Sequence, residues 1–566
     1  MSIQRKPNFL LIVVDDMGYS DCQPFGGEIK TPNIQQLADN GVRFRHFHTS
    51  ALCAPTRSML LSGCDNHHAG LGAMPTMHAT NQYMQEGYEG VLNKNILTIP
   101  EILRGAGYHT YMSGKWHLGE REDRRPHARG FERTFSFLGG GASHFNDQRA
   151  LSAFEEPHTK YSEDGKTVED LPEDFYSSDY YTDKMIQYIT EQNDDKPFFA
   201  YLTFTSPHDP LQVPDSWLDK YKGAYDDGYD VIRDQRLQRM KNLGLIPESL
   251  NRNEGSGMFK TWGELTGEEQ KDQARKMEIY AAMIENLDWN LGRLFDKMKE
   301  LNLFDDTIIF FLSDNGANPK EPAFYAPNTE ESIAKSYDNS FANYGKINSF
   351  ISIGGAWAEV ANTPLSYFKI TTYEGGTQTP LIVSGRRVHK RGVVTDELLH
   401  VTDLMPTILD YANVKYPKNN KDLKPLYGTS LKPCLQEETK QPVRNEFAVL
   451  GFEIGECKAV IKGDWKLIFM PPPYGKGDEW HLYNLKEDIK EEKNVAEQFP
   501  DKFNELKADW QAYAISVGYI KSNGDPAVKK LGFEEFFRFD AKHRIDPKTE
   551  AEGSGSKNSI STNLGD

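Results

Sequence analysis

Cys53-Ala54-Pro55-Thr56-Arg57 is the stretch of this chain with the most chemistry in it. Pro is favoured in a helix's first turn and Gly just past its end, so residues 53–63 read as a short helix closed by Gly63. Cys53 then stands at a helix N-terminus, where free N–H groups and the dipole favour negative charge, with Arg57 one turn on. Alone, the pattern fits a small buried Cys beside a surface Arg equally well. Two acidic segments add to it: Asp15-Asp16 follows the apolar run 9–14, and Asp314-Asn315 follows the apolar run 307–312. Three carboxylates and an amide oxygen are a hard donor set, suited to Ca²⁺ or Mg²⁺ and poor for Zn²⁺. Ca²⁺ is favoured because it tolerates irregular, crowded oxygen coordination. In Gly114-Lys115-Trp116-His117-Leu118-Gly119 the Lys and His alternate, so an extended segment points both the same way. His208, in Ser206-Pro207-His208-Asp209-Pro210, follows the apolar run 198–204 and is placed for general acid work. Taken singly, these are a surface Lys, a packed His and a structural loop His.

Together the motifs resemble the type I sulfatases of the alkaline-phosphatase superfamily. Residues 53–63 with His67-His68-Ala69-Gly70-Leu71-Gly72 are most similar to the bacterial arylsulfatase branch, and the resemblance runs over residues 8–497. It implies that Cys53 is oxidised to formylglycine by a formylglycine-generating or other sulfatase-maturating enzyme. It implies one Ca²⁺, or Mg²⁺, held by Asp15, Asp16, Asp314, Asn315 and the modified Cys53. Lys369, ahead of Glu374-Gly375-Gly376, matches the family's second sulfate-binding lysine; without the resemblance it is one Lys among many. The implied reaction is S–O cleavage of a sulfate ester by a formylglycine gem-diol activated near Asp314. Lys115 and Lys369 bind the sulfate oxygens, Arg57 steadies the diol, His208 protonates the departing oxygen, and His117 takes a proton as sulfate leaves. The alternatives are a phosphonate monoester or phosphodiester hydrolase of the same superfamily, and an inactive metal-binding relative whose Cys53 stays a thiol.

These residues lie in five strand-end segments, and one doubly wound sheet brings such ends together. The expected fold is α/β: a large doubly wound mixed sheet flanked by helices, alkaline-phosphatase-like, with a smaller C-terminal α+β domain. Strands are expected at 9–14, 108–113, 198–204, 307–312 and 380–383, and helices at 33–40, 99–106, 274–301 and 402–414. Residues 155–179 read as an acidic surface excursion, and 212–273 as a polar, loosely patterned insertion near the rim of the site. Short strands near 448–452, 459–461, 465–469 and 481–485, then a helix near 499–517, predict a small antiparallel sheet with one helix. The expected organisation is a catalytic domain over 1–434, a small domain over 435–545 and a disordered tail over 546–566.

At 566 residues the chain can hold two or more sizeable cores. A net charge of -18 argues against nucleic acid or an anionic membrane as partner. Screening beyond roughly 8–10 Å still lets a local cationic pocket capture an anion. Counting three acids against Arg57, Lys115, Lys369 and a divalent ion, the pocket is net cationic. The five Cys (22, 53, 64, 434, 457) are odd in number and widely spaced, which suits a reducing compartment. The apolar run after Arg5-Lys6 is too short for a signal peptide and meets Asp15-Asp16 where a cleavage site would be. No stretch reaches ~18 apolar residues, so the expected location is cytoplasmic with no membrane span.

Overall fold

The first strand, β1 (Asn8–Asp15), is buried along its whole length. Its alternate side chains enter two different cores: Leu10, Ile12 and Val14 on one face, Phe9, Leu11 and Val13 on the other. A continuous apolar run is what a strand covered on both faces requires. The computed structural model describes residues 5–525 apart from 75–76, 152–158, 326, 418–419, 438–440, 476 and 478. The tail expected at 546–566 and the end of the unit expected at 435–545 lie outside the described residues.

Nine further strands join β1: β2 (Gly41–His48), β3 (His109–Lys115), β4 (Arg133–Phe137), β5 (Tyr161–Glu163), β6 (Lys166–Val168), β7 (Phe198–Pro207), β8 (Thr307–Ser313), β9 (Leu381–Ser384) and β10 (Val393–His400). They form one mixed sheet in the order β10-β2-β9-β8-β1-β7-β3-β4-β5-β6. Strands β8, β1, β7, β3 and β4 are mutually parallel, so their carboxyl ends share one edge. Strand β9 is antiparallel to both β8 and β2, which returns β2 to the direction of β8. Thus the chain leaves β1, β2, β3, β7 and β8 at the same edge, and enters β9 there.

Four further strands, β11 (Val449–Ile454), β12 (Cys457–Lys462), β13 (Trp465–Phe469) and β14 (Trp480–Asn484), make an antiparallel meander. The helix Pro500–Val517 covers one face with Leu506, Trp510 and Tyr513 against Val460, Leu467 and Leu482. The other face packs Leu450, Phe452, Ile461 and Tyr483 toward Tyr373 of the large unit.

Two expectations need correction. The excursion at 155–179, where 155–158 are outside the described residues, carries the β5–β6 hairpin that extends the sheet, and from Ser177 a helix that runs to Glu191. The insertion at 212–273 holds the helix Gly228–Asn242, and the long helix begins at Gly267, capped by Thr266 and Glu269. The buried side of Gly228–Asn242 includes Arg233 and Arg236, whose charged heads hide the apolar period that a sequence reading looks for.

Candidate active site

The helix Cys53–Ser62 begins five residues after β2 and ends at Gly63, as the Pro and Gly positions predict. All ten of its residues are buried, so it is held by its whole circumference. Cys53 Sγ lies 3.3 Å from His117 Nδ1. The Arg57 guanidinium donates through Nε (2.9 Å) to Asp314 Oδ2, its Nη2 is 2.8 Å from the same oxygen, and Nη1 donates to the Lys115 carbonyl at 3.1 Å. Lys115, at the end of β3, donates to Asp15 Oδ2 at 2.6 Å. Gly114 has φ 116°, and a Cβ there would lie 1.8 Å from the Thr203 carbonyl oxygen, so only Gly lets β3 pass β7 this closely.

Lys369 comes from the loop before β9 and donates to both Asp16 oxygens, at 2.6 and 2.8 Å. Asp16 also accepts from Asn315 Nδ2 at 2.6 Å, and its own backbone N–H donates to Asp314 Oδ1 at 3.3 Å. His208, after β7, places Nε2 3.4 Å from Asp16 Oδ2. Every site residue expected from the sequence therefore meets in one buried cluster at the shared strand edge. Asp16 (φ 65°) and His117 (φ 59°) both hold left-handed backbone, a costly conformation for a residue with a side chain and one that functional sites retain.

The electrostatics separate the two histidines. Burial and then Lys115 and Arg57 hold the His117 pKa well below the ordinary value, so His117 is neutral. Burial opposes the charge on His208 too, but Asp16 beside it wins and raises its pKa to about 9. For Cys53, burial disfavours the thiolate, yet Lys115 and Lys369 lower its pKa below that of an ordinary thiol. Burial and the facing Asp15 push Asp314 up to about 6.

Asp15 Oδ1 and Asn315 Oδ1 are buried and have no hydrogen-bond partner among the described residues. Donor atoms of Asp15, Asp16 and His208 lie within 4.8 Å of one another. Unpartnered hard oxygens among crowded carboxylates fit a divalent cation of the Ca²⁺ or Mg²⁺ kind. The geometric cluster adds His208 to the expected set, while Asp314 and Asn315 reach the same point through their contacts with Asp16.

Several supporting residues have no motif of their own. The Gly139–Gly141 turn lies over both histidines: a Cβ on Gly140 would be 2.7 Å from His117 Nε2, and one on Gly141 3.1 Å from His208 Cε1. Its run of glycines was the signal, though not the target. Asp21 accepts from the Gly18 N–H (2.7 Å), the Tyr280 hydroxyl (2.7 Å) and Arg236 (2.6 Å), and so braces the turn that carries Asp16. Nothing local in the sequence marks Tyr280 or Arg236 for that role.

Comparison with known proteins agrees with this geometry. The Sulfatase family model matches residues 7–414, and the N-sulphoglucosamine sulphohydrolase C-terminal model matches 366–512. The chain is 41% identical over 551 residues to an uncharacterized sulfatase of Schizosaccharomyces pombe, covering 96% of this chain and 98% of that one. It is 43% identical over 431 residues to the arylsulfatase of Klebsiella aerogenes, covering 76% and 92%. The crystal structure of Ps i-CgsB in complex with k-i-k-neocarrahexaose shares the fold, with a TM-score of 0.65 at 22% identity over 95% of this chain and 98% of that one. The chain belongs to the sulfatase family, and it is a sulfuric ester hydrolase.

Proposed function

We propose that the enzyme is an arylsulfatase that splits the S–O bond of sulfate monoesters, using Cys53 after its oxidation to formylglycine. The observation that carries this reading is the Cys53–His117–Arg57–Asp314 cluster, buried beside two unpartnered oxygens. Asp15, Asp16, Asp314, Asn315 and the modified Cys53 would hold one divalent ion, Ca²⁺ by preference and Mg²⁺ as the alternative. When present, the ion supplies charge neutralisation for the sulfate oxygens, and the oxidised Cys53 supplies, as a hydrated aldehyde, the hydroxyl that attacks sulfur.

The chain's own residues do the rest. Lys115 and Lys369 turn from their carboxylate partners to bind the sulfate oxygens. Arg57, fixed by Asp314 and the Lys115 carbonyl, steadies the side chain at position 53. Asp314, fixed by the Arg57 guanidinium, takes the proton of the attacking hydroxyl. His208, with Nε2 3.4 Å from Asp16 Oδ2, gives a proton to the departing oxygen. His117 is neutral and 3.3 Å from the position 53 side chain, so it can accept the proton released when sulfate leaves. Conversion of Cys53 requires a sulfatase-maturating enzyme as a partner. The five free, buried cysteines support a cytoplasmic location; among the described residues no helix is long and apolar enough to cross a membrane.

Mass spectrometry of the peptide containing Cys53 tests the reading. Active enzyme should carry formylglycine there, and Cys53→Ala should lose at least ~10³-fold in turnover, about 4 kcal/mol of barrier. A Cys53 peptide that is wholly thiol in fully active enzyme overturns it.

A further inference from the structure

Beyond the residues read as binding the sulfate, one cation near the site, Lys320, makes no ion pair among the described residues. Lys320 lies on the strap that leaves β8 through the motif Asp314-Asn315-Gly316. The strap is firmly held at its root, where the Lys369 N–H donates to the Ala317 carbonyl at 3.1 Å and the Gly316 N–H to the Gly376 carbonyl at 3.2 Å. Further along, Asn318 Nδ2 donates to Asp209 Oδ1 (2.8 Å) and lies 2.6 Å from the Tyr325 hydroxyl, which donates to the same Asp209 oxygen at 2.8 Å. The Lys320 N–H donates to Asn318 Oδ1 at 3.2 Å, which fixes the backbone from which the long side chain starts.

The Lys320 side chain is partly buried, and its ammonium lies 5.1 Å from the centre of the Tyr325 ring. That ring is in turn 6.3 Å from the ring of His208. Among the described residues the ammonium makes no ion pair and donates no side-chain hydrogen bond. Burial and the neighbouring charge of Lys369 lower its pKa and outweigh the attraction of Asp209, which lies beyond ion-pair distance, so the ammonium is held here with only partial compensation. A fixed, partly desolvated cation next to the leaving-group acid is matched when an anion arrives beside it.

The side of the site matters. In the reading above, which this inference rests on, His208 protonates the departing oxygen, so the alcohol portion of the ester lies against His208. Lys115 and Lys369 already serve the sulfate. Lys320 lies over the Tyr325 ring, which flanks His208. We propose that Lys320 binds a second anionic group, a carboxylate or another sulfate, carried on the alcohol portion of the ester. The substrates the site selects are then sulfate esters bearing a further negative charge. A neutral phenol is turned over without that contact.

The test uses the active full-length enzyme and matched pairs of aryl sulfates: 3- and 4-carboxyphenyl and 3- and 4-(carboxymethyl)phenyl sulfates, each against its carboxamide. The amides keep the size of the ring substituent and remove the charge. The parent enzyme should favour at least one acid over its amide by about tenfold or more in kcat/KM, the scale of one hydrogen bond to a charged group. Lys320→Met should lose about tenfold more on that acid than on its amide, and Lys320→Arg should keep most of the preference. Equal losses on acids and amides, or no loss on either, overturn the proposal. Turnover of the amides by the parent shows that the sulfatase reading stands whatever Lys320 does. A parent that turns over neither series removes both.

Discussion

At the strand edge, Asp15, Asp16 and Asp314 share Arg57, Lys115 and Lys369. Between the large sheet and the small one, Glu374 and Glu491 share Lys466 and His48, equally out of reach of water. The two clusters are built from the same kinds of group, yet they are finished differently. In the second, Lys466 reaches Glu374 Oε1 at 2.5 Å and Glu491 Oε1 at 2.9 Å, His48 meets Glu374 Oε2 at 2.9 Å, and the Glu374 N–H donates to Glu491 Oε2 at 2.6 Å. Each carboxylate oxygen has Lys466, His48 or an N–H within 2.9 Å, although Glu491 Oε1 and His48 Nδ1 still lack a well-formed hydrogen bond among the described residues. In the first, Asp15 Oδ1 and Asn315 Oδ1 are left over, and two lysines sit on carboxylates that a divalent ion would take from them. A closed network fastens the small sheet to the loop that carries Lys369. An open one is a place for chemistry.

Breaking the open cluster should have the largest effect. Asp314→Ala removes the main partner of Arg57 and, in the proposed reading, an oxygen from the cation site. Turnover should fall by about 10³-fold or more, the scale of losing a key electrostatic contact in a dry site. Calorimetric titration with Ca²⁺ should show affinity falling with the rate. Parent-like Ca²⁺ affinity in Asp314→Ala would remove Asp314 from the ion site.

The closed cluster should fail through the fold instead. Lys466→Met leaves two buried glutamates facing each other with His48 alone for compensation. Removing one partner from a buried pair costs about 3–5 kcal/mol. The denaturant midpoint should fall accordingly, while turnover per folded molecule changes far less than in Asp314→Ala. A midpoint equal to the parent's would show that the cluster does not fasten the small sheet.

The two clusters also differ in how far the sequence announces them. Each acid of the open cluster follows an uninterrupted apolar run, and Cys53, Arg57, Lys115 and His117 sit in short motifs with fixed spacing. Strand ends and helix caps are local features, so a local reading finds them. The central strands β1, β7 and β8 were legible for the same reason, while β3, which has no such run, was placed by Gly107 before it and the Gly114 motif at its end. Strand β2, with Arg43, Arg45 and His46 among its apolar residues, and the β5–β6 hairpin, with Lys and Glu on its edge, carry no such run. The Asp164-Gly165 turn between β5 and β6 was a hairpin signal that the surrounding acids obscured. Glu374, Lys466 and Glu491 come from distant parts of the chain and meet only through tertiary packing. No spacing rule could pair them, and the same holds for Asp21, Arg236 and Tyr280 under the Asp16 turn.

The finest test of the comparison is a slope against pH. In the closed cluster, burial and the adjacent Glu374 raise the Glu491 pKa to about 8 despite Lys466, while His48 and Lys466 hold Glu374 far down against the cost of burial. Glu491 is therefore protonated in the folded chain over a range where the unfolded chain, near 4.5, has lost that proton. The folded state binds more protons, so stability from this group is fully present below about 4.5 and is lost as pH rises toward 8. Glu491→Gln keeps the side chain's size and stays neutral throughout, so it should flatten this part of the profile. The parent's unfolding free energy should fall from pH 5 to pH 8 more steeply than the variant's, with the two differing most at the alkaline end. Parallel profiles would mean that Glu491 is ionised in the fold, and that two charged carboxylates share Lys466.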